Sequence, residues 1–284
     1  MRADGILTLH CPDRPGIVAA VSRLLFEQGA NIEESQQFDD ERTDTFFMRI
    51  AFSVPEGGPT MQSFRELMAP VAEQLSMDWA IWDAHRPHRT MIMVSRFGHC
   101  LNDLLYRWRS GALNIDIPVI VSNHDDLRPM AKMYGIPFVV IPVTAETKID
   151  AEIRLREVIA EHDIDLVVLA RYMQILSDDL SRDLSGRVIN IHHSFLPSFK
   201  GAKPYHQAYN RGVKLTGATA HYVTADLDEG PIIEQDVVRV DHRMTPDDLI
   251  RAGQECESRV LARAVKWHSE NRVLLNGERT VVFS

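Results

Sequence analysis

Asn190, His192 and Asp228 are the residues whose types and spacing could support chemistry on an acyl group. Asn190 and His192 are two residues apart at the end of the apolar run 188–191, so in an extended chain both side chains point to the same side. Asp228 follows a second strand-like run and precedes a Gly-Pro pair that is typical of a turn. An amide donor, an imidazole and a carboxylate can stabilise an oxyanion, transfer protons and orient a nucleophile. These are the requirements of acyl hydrolysis or acyl transfer.

Taken singly, each residue also has a structural interpretation. An Asn at a strand end can satisfy backbone groups, a His can make structural hydrogen bonds, and an Asp before Glu-Gly-Pro commonly forms a turn. Three other types of site are disfavoured. Ser194 lies outside any G-x-S-x-G elbow, the four histidines at 192, 193, 206 and 221 lack H-E-x-x-H or paired-Cys spacing, and no G-x-G-x-x-G follows the apolar run 90–95. We therefore expect no metal site and no dinucleotide site.

The surrounding residues resemble a known family. The segments N-I-H-x-S-x-L-P-S-F at 190–199 and H-Y-V-T-x-D-L-D-x-G-P-I-I at 221–233 are similar to the core of the formyltetrahydrofolate-dependent formyltransferases. Two details are most similar to the deformylases of that group: His193, where transferases usually have Pro, and the run G-A-K-P-Y-H-Q-A at 201–208. The resemblance extends from about Thr90 to the last residue of the sequence.

This resemblance implies hydrolysis of 10-formyltetrahydrofolate to formate and tetrahydrofolate, which balances the folate pool and supplies formate for purine synthesis. It assigns catalysis to Asn190 and His192, as donors to the developing oxyanion, and to Asp228, which would hold a cationic His192 and orient the attacking water. A nearby carboxylate favours the charged form of a histidine. The resemblance also implies substrate contacts from Met173, Gln174, Ile175, Leu176, His193, Lys203, Thr224 and Ala225.

Two alternative functions stay open. One is a formyltransferase that passes the formyl group to an amine, and the other is a folate-binding regulatory protein whose catalytic set is vestigial. Related transferases that act on a phosphorylated amine have a Gly/Ser-rich loop after the first strand of the domain. Residues 95–102 here are bulky instead, which leaves little room for backbone amides around a phosphate and favours water as the nucleophile.

Composition limits the partners. The formal net charge of −9 argues against a general nucleic-acid surface, and no apolar run is long enough for a membrane span. The first residues lack the apolar core of a signal peptide, and the three cysteines are far apart in sequence. We expect a cytoplasmic enzyme that uses no cofactor, takes 10-formyltetrahydrofolate and water as its partners, and assembles as a homo-oligomer.

The pattern along the chain predicts an α/β protein with two domains. Residues 1–83 predict the ferredoxin-like order βαββαβ and resemble an ACT domain with a regulatory or oligomerisation role. Residues 84–89 predict a linker. Residues 90–284 alternate continuous apolar runs with helical stretches, which indicates a mostly parallel, Rossmann-like sheet of the formyltransferase type. Ligands of such sheets bind beyond the carboxyl ends of the strands, where Asn190 and His192 lie.

The ACT resemblance implies a possible amino-acid effector. The residues expected to contact it are Asp13, Arg14, Gly16 and Asn31, near the turn after the first strand and the turn after the first helix. Asp13 is also expected to cap that helix. The alternative is that the domain only joins subunits.

Overall fold

The computed structural model describes residues 3–196 and 204–284, and these form two compact units. The first unit contains the residues up to Pro87 together with Glu270–Asn276 and Val281–Ser284, and the second contains His88–Ser269 and Gly277–Thr280. The boundary at Pro87 falls within the predicted linker 84–89. Each unit has its own hydrophobic core, so each can be described by itself.

The first unit is a ferredoxin-like sheet with two helices. Its elements are β1 (Gly5–Pro12), α1 (Ile17–Glu27), β2 (Asn31–Asp40), β3 (Thr45–Ser53), α2 (Met61–Leu75) and β4 (Asp78–Asp83). The sheet has the order β2-β3-β1-β4, and every pair is antiparallel. Apolar side chains of β1, β3 and both helices form the core. The predicted order βαββαβ is confirmed.

The start of α1 differs from the expectation that Asp13 caps it. The N-cap is Gly16, which has a φ of 100° and makes no side-chain capping hydrogen bond. Because α1 begins only at Ile17, Asp13 lies too far from the free N–H groups of the first turn to serve as the cap. That prediction was wrong.

The second unit is a mostly parallel α/β sheet. Its elements are β5 (His88–Val94), α3 (His99–Arg109), β6 (Ile115–Asp116), β7 (Ile120–Ser122), α4 (Arg128–Met133), β8 (Phe138–Val140), α5 (Lys148–Glu161), β9 (Leu166–Leu169), α6 (Asp178–Asp183), β10 (Val188–His192), α7 (Pro204–Arg211), β11 (Leu215–Tyr222), β12 (Ile232–Arg239) and α8 (Pro246–Ser269). The sheet has the order β12-β11-β10-β9-β5-β7-β8, with β6 beside β5. The pairs from β10 to β8 are parallel, and the pairs of β11 are antiparallel. The predicted parallel sheet is confirmed.

The apolar runs form strands that are covered on both faces. All four residues of β9 and all three of β7 are buried. Side chains alternate between the faces of a strand, so complete burial requires helices on both sides of the sheet. The carboxyl ends of β5, β9 and β10 therefore meet at one edge of the sheet, where loops are free to carry functional groups.

Helix α8 begins with a reciprocal cap. The backbone N–H of Asp248 donates to Oγ1 of Thr245 at 3.2 Å, and the backbone N–H of Thr245 donates to a carboxylate oxygen of Asp248 at 2.8 Å. These two bonds satisfy N–H groups that a helix start leaves free. Gly253 and Glu257 are among the buried residues of α8.

The last strands, β13 (Val273–Asn276) and β14 (Arg279–Val282), pair as a two-stranded sheet. Within the first unit, Leu274 and Phe283 pack with Phe47. The sequence-based division assigned these residues to the second domain, because a short terminal hairpin carries no signal of the core it packs against. No helix in the described part of the chain is long and apolar enough to cross a bilayer.

Candidate active site

Strand β10 places Asn190 and His192 at the carboxyl edge of the sheet. Both side chains line one cavity of about 250 Å³, as expected from their spacing along an extended strand. In the antiparallel pairing with β11, Asn190 lies opposite His221, and His221 lines the same cavity. His221 was not predicted as a site residue, although its place at the end of the strand before the Asp228 loop is a usable signal.

His221 orients the amide of Asn190. Nδ1 of His221 donates to the carbonyl oxygen of Tyr222 at 2.9 Å, which leaves Nε2 as an acceptor for Nδ2 of Asn190 at 3.2 Å. Burial lowers the pKa of His221, which keeps the ring neutral and its Nε2 an acceptor. The amide group has two N–H bonds, so the second can donate into the cavity.

His192 and Asp228 form a pair at the same edge. Nδ1 of His192 lies 3.2 Å from Oδ1 of Asp228, and the two side chains are 7% and 17% exposed. Burial raises the pKa of Asp228, but the hydrogen bond from His192 and the neighbouring imidazoles outweigh it and hold the pKa below its usual value, so Asp228 is a carboxylate. Nε2 of His192 is buried and makes no hydrogen bond within the described residues.

The loop after β11 holds Asp228 by a tight return of the chain. Asp228 has a φ of 57°, a left-handed conformation that Asp tolerates better than most residues. A Cβ at Gly230 would overlap the backbone of Tyr222, whose N–H donates to the carbonyl of Pro231 at 2.9 Å. Only glycine fits this close approach. Thr224 and Ala225, which were predicted to contact substrate, line the cavity from the same loop.

The segment after β9 forms the opposite wall. Met173, Gln174, Ile175 and Leu176 all line the cavity, as predicted. Met173 and Ile175 are 51% and 60% exposed, so they are available to a ligand, whereas Leu176 is 8% exposed and packs in the core. The segment is fixed by Ser95, because the N–H of Met173 donates to its Oγ at 3.0 Å.

His193 lies beside His192 and not on the opposite side, which an extended chain would require. Strand β10 ends at His192, and the chain turns there. The two imidazole rings stack with centroids 5.1 Å apart and planes 25° apart, and both line the cavity. Burial, and then the positive charges of Arg171 and His192, lower the pKa of His193 to about 4. His193 is therefore a neutral imidazole at neutral pH.

A buried charged cluster adjoins His193. Glu257 on α8 is 1% exposed; its Oε2 lies 2.8 Å from Nε2 of His99 and 3.4 Å from Nε of Arg171, and its Oε1 accepts from the hydroxyl of Tyr205 at 2.5 Å. Burial raises the pKa of Glu257, but the hydrogen bond from His99 and the charge of Arg171 outweigh it, so Glu257 is ionised. The Tyr205 ring lies 6.3 Å from the ring of His193. Sequence reasoning missed this cluster because its members are far apart along the chain.

Within the described residues, one group has the composition of a metal site: His99, Cys100 and Glu257, whose ligand atoms lie within 4.8 Å of one another. Both oxygens of Glu257 already accept hydrogen bonds, and the guanidinium of Arg171 lies beside them. Burial also raises the pKa of the Cys100 thiol far above its usual value, which disfavours the thiolate that a metal needs. The chemistry of this group therefore fits an ion pair better than a metal.

The remaining predicted contacts are Lys203 and the four effector residues of the first unit. Lys203 lies outside the described residues. Asp13, Arg14 and Gly16 lie in the exposed turn between β1 and α1, in the first unit.

Asn31 begins β2 at the other end of the first unit's sheet. It pairs with Ser53, whereas the end of β1 at Pro12 pairs with Thr45. The structure of one chain therefore does not bring all four predicted effector residues together.

The arrangement suits attack on a carbonyl carbon. An amide N–H from Asn190 and Nε2 of His192 converge on one cavity, and the carboxylate of Asp228 holds the imidazole. Donors aimed at a developing oxyanion stabilise its negative charge in a site that excludes water. The exposed apolar side chains of Met173 and Ile175 provide a surface for a flat, largely apolar ligand beside this polar end.

Comparisons with known proteins identify relatives of both units. A sequence model of the Formyl transferase family matches residues 88–265, and a model of the ACT domain matches residues 5–66. The chain is 50% identical to a formyltetrahydrofolate deformylase from a Corynebacterium species, over 98% of this chain and 97% of that protein.

Solved structures separate two groups of relatives. A crystal structure of formyltetrahydrofolate deformylase from Burkholderia mallei matches with a TM-score of 0.95 and 51% identity, covering 99% of this chain and 100% of that chain. A phosphoribosylglycinamide formyltransferase from Anaplasma phagocytophilum matches with a TM-score of 0.63 and 32% identity, covering 70% of this chain and 96% of that chain. The likeness to the deformylase thus includes both units, whereas the likeness to the formyltransferase covers about the length of the second.

Proposed function

The chain belongs to the formyltetrahydrofolate deformylase family, and from this premise we propose that it hydrolyses 10-formyltetrahydrofolate to formate and tetrahydrofolate. The observation that carries the proposal is the convergence of Asn190 and the His192–Asp228 pair on one cavity. The wall that contains Met173 and Ile175 would receive the pterin, and the formyl group would lie at the polar end.

The reaction adds water to the formyl carbon and breaks its bond to nitrogen. As the water oxygen bonds to the carbon, the water gives one proton to a base at the cavity and the carbonyl electrons move onto oxygen, where Asn190 and His192 donate hydrogen bonds. Asp228 holds His192 through Oδ1, and its second oxygen can orient the water. As the carbon–nitrogen bond breaks, the nitrogen gains a proton from His192. One positioned oxyanion donor contributes about 2.7–4 kcal/mol, and acid–base catalysis about a hundred- to ten-thousand-fold in rate.

Transfer of the formyl group to an amine is less well supported. The turn between β5 and α3 is occupied by the chain's own side chains, since Phe97 lies 5.3 Å under the guanidinium of Arg171 and His99 is bonded to Glu257. Among the described residues, this turn therefore offers no open backbone cradle for a phosphorylated amine acceptor. Water is small enough to enter without one.

We also infer the cellular setting of the reaction. Formate released by this reaction would supply purine synthesis, and a cytoplasmic location is consistent with that role. The reaction needs no cofactor, because the side chains named above supply the donors and the proton transfers. We also propose a homo-oligomer in which the ACT-type unit responds to an amino acid.

Formate release from 10-formyltetrahydrofolate by the purified protein, with a chelator present and no amine acceptor, tests this function. Multiple turnovers are expected, and Asn190→Ala, His192→Ala and Asp228→Ala should each lose turnover while folate binding is retained. His242→Ala is a matched control, because His242 is exposed and lies outside the cavity. Folate binding without turnover in the parent chain would contradict the proposal and favour a transferase or a regulatory protein.

A further inference from the structure

The two stacked imidazoles in the cavity have different charged neighbours, a carboxylate beside one ring and a guanidinium near the other. His192 lies against the carboxylate of Asp228, which can neutralise an imidazolium. His193, 5.1 Å away, is exposed to the positive charge of Arg171. A ring paired with a carboxylate is placed to donate a proton, and a second ring without such a partner is placed to accept one.

Arg171 has features of a residue held in place for its charge. Its side chain is 10% exposed, and its buried Nε and Nη1 make no hydrogen bonds within the described residues. Its backbone has a φ of 65°, a left-handed conformation that is unfavourable for a non-glycine residue. A buried cation is stabilised only when a counter-charge is near, and Glu257 provides one.

Neighbouring groups fix the position of His193. Its ring lies between those of His192 and Tyr205, and the hydroxyl of Tyr205 is bonded to Glu257. The loop that follows is held by Thr219, whose Oγ1 donates to the carbonyl of Ser194 at 3.0 Å and accepts from the N–H of Leu196 at 3.1 Å. His193 therefore has a defined place in the wall of the cavity.

We propose that His193 is the general base that takes a proton from the attacking water, and that Arg171, which lines the same cavity, is a positioning residue that favours its neutral ring. This inference rests on the hydrolysis proposed above. It divides the two proton transfers between two rings, because His192 cannot give a proton to the leaving nitrogen and accept one from water in the same state.

The proton balance is complete with these two rings. One water proton moves to His193 as the water oxygen bonds to the formyl carbon, and one proton moves from the imidazolium of His192 to nitrogen as the carbon–nitrogen bond breaks. The products are tetrahydrofolate and formic acid, which loses its proton to solvent and leaves as formate. Exchange with solvent removes the proton from His193 and restores the one on His192.

The charges around His193 all enter its proton equilibrium. Arg171 and His192 favour the neutral ring, Glu257 and Asp228 favour the charged ring, and Tyr205 contacts it as a neutral phenol. Burial, the largest of these effects, and Arg171 together lower the pKa of His193 to about 4. A base of this strength stays unprotonated through the neutral pH range.

Substitution of His193 tests the proton transfer. His193→Gln can still hold a water molecule but cannot accept its proton, so kcat should fall about a hundredfold or more while KM stays within about threefold. The kcat of His193→Ala should fall by a similar factor, and the kcat of the exposed control His242→Gln should stay at the parent value. A kcat of His193→Gln within threefold of the parent would overturn the proposal, because placement of water alone would then suffice.

Substitution of Arg171 tests its positioning role. In Arg171→Met, the acid limb of kcat/KM, and the titration of His193 followed by NMR of labelled histidine, should move up from pH of about 4 by at least one unit, toward the ordinary value of about 6.5. Arg171→Lys keeps the charge and should restore the parent profile. An unshifted profile in Arg171→Met would show that Arg171 does not set the proton state of His193.

Folding and function are separated by two further measurements. If Arg171→Met leaves Glu257 unpaired and does not fold, the double variant Arg171→Gln/Glu257→Gln removes both buried charges. Its upward shift should be smaller than that of Arg171→Met, because Glu257 favours the charged ring and Arg171 outweighs it, and a profile that does not move up would overturn the role of Arg171. If the parent chain releases no formate, the proposed function fails. If the parent turns over but His193→Gln is unaffected, only the role of His193 fails.

Discussion

Gly253 on α8 is the position where one added methyl group tests the contact between Tyr205 and Glu257. A Cβ at this position would overlap Oη, Cζ and Cε1 of Tyr205, whose hydroxyl donates to Glu257. Tyr205 is 7% exposed, so its ring cannot move aside without disturbing neighbouring side chains. Gly253→Ala should therefore displace the tyrosine from Glu257.

The expected destabilisation follows from three effects. Overpacking of a buried site costs about 1–3 kcal/mol. Loss of a hydrogen bond to a buried carboxylate costs about 1.5–3 kcal/mol. Alanine in a helix interior returns about 1 kcal/mol relative to glycine. The net loss in the free energy of unfolding of Gly253→Ala should be about 1.5–5 kcal/mol.

Urea unfolding of four chains measures this effect: the parent, Gly253→Ala, Tyr205→Ala and the double variant. In the Tyr205→Ala background the overlap is gone, so Gly253→Ala should become stabilising by about 0.5–1 kcal/mol, a reversal of sign. Tyr205→Phe, which removes only the hydroxyl, measures the hydrogen bond alone. An equal destabilisation by Gly253→Ala in both backgrounds would refute the reasoning, because the added methyl group would then be clashing with something other than Tyr205.

Three further predictions concern the cavity and the stability of the second unit. Asp228→Asn should reduce kcat about a hundred- to ten-thousand-fold with KM little changed, in steady-state formate assays, because the amide cannot balance a charged His192; a kcat near that of the parent would contradict this role. His221→Phe should reduce kcat about tenfold, because it releases the amide of Asn190. This loss of kcat should be smaller than that of Asn190→Ala. Equal losses of kcat in the two variants would argue that His221 does more than orient the amide. Burial and the charge of His88 lower the pKa of His268 to about 3, so the unfolded chain binds a proton that the folded chain excludes between pH of about 6.5 and 3. The free energy of unfolding should therefore fall by about 1.4 kcal/mol per pH unit from this residue as the pH drops through that window. His268→Gln should reduce the slope of the free energy of unfolding against pH, measured by urea unfolding, by the same amount, which corresponds to about one proton. An unchanged slope would contradict a neutral His268.

The sheet of the second unit was predictable because its signal is local. Apolar runs such as 165–170 and 188–191 lack alternation, and strands β9 and β10 with nearly these bounds are buried. The alternation of side chains along β10 was enough to place Asn190 and His192 in one cavity. The family motif added Asp228, whose loop returns to the sheet through the close approach at Gly230.

The predictions that were wrong or missing concern positions where the chain turns and contacts between residues far apart in sequence. A chain that stayed extended would place His193 on the opposite side from His192, but β10 ends at His192 and the two rings stack. Asp13 was expected to cap α1, but a left-handed Gly16 delays the start of that helix. The bond of His99 to Glu257 joins residues 158 positions apart, and no periodicity in a single sequence reports such a pair.

In the proposed reaction, water attacks the formyl carbon in the cavity of Asn190, His192 and Asp228. Its most direct test is the product of 10-formyltetrahydrofolate turnover in water labelled with oxygen-18, with a simple primary amine and a chelator present. The account predicts formate that carries one labelled oxygen, in equal amount to tetrahydrofolate, and loss of this product in Asp228→Asn. Appearance of the formyl group on the amine, or release of no formate, would contradict it.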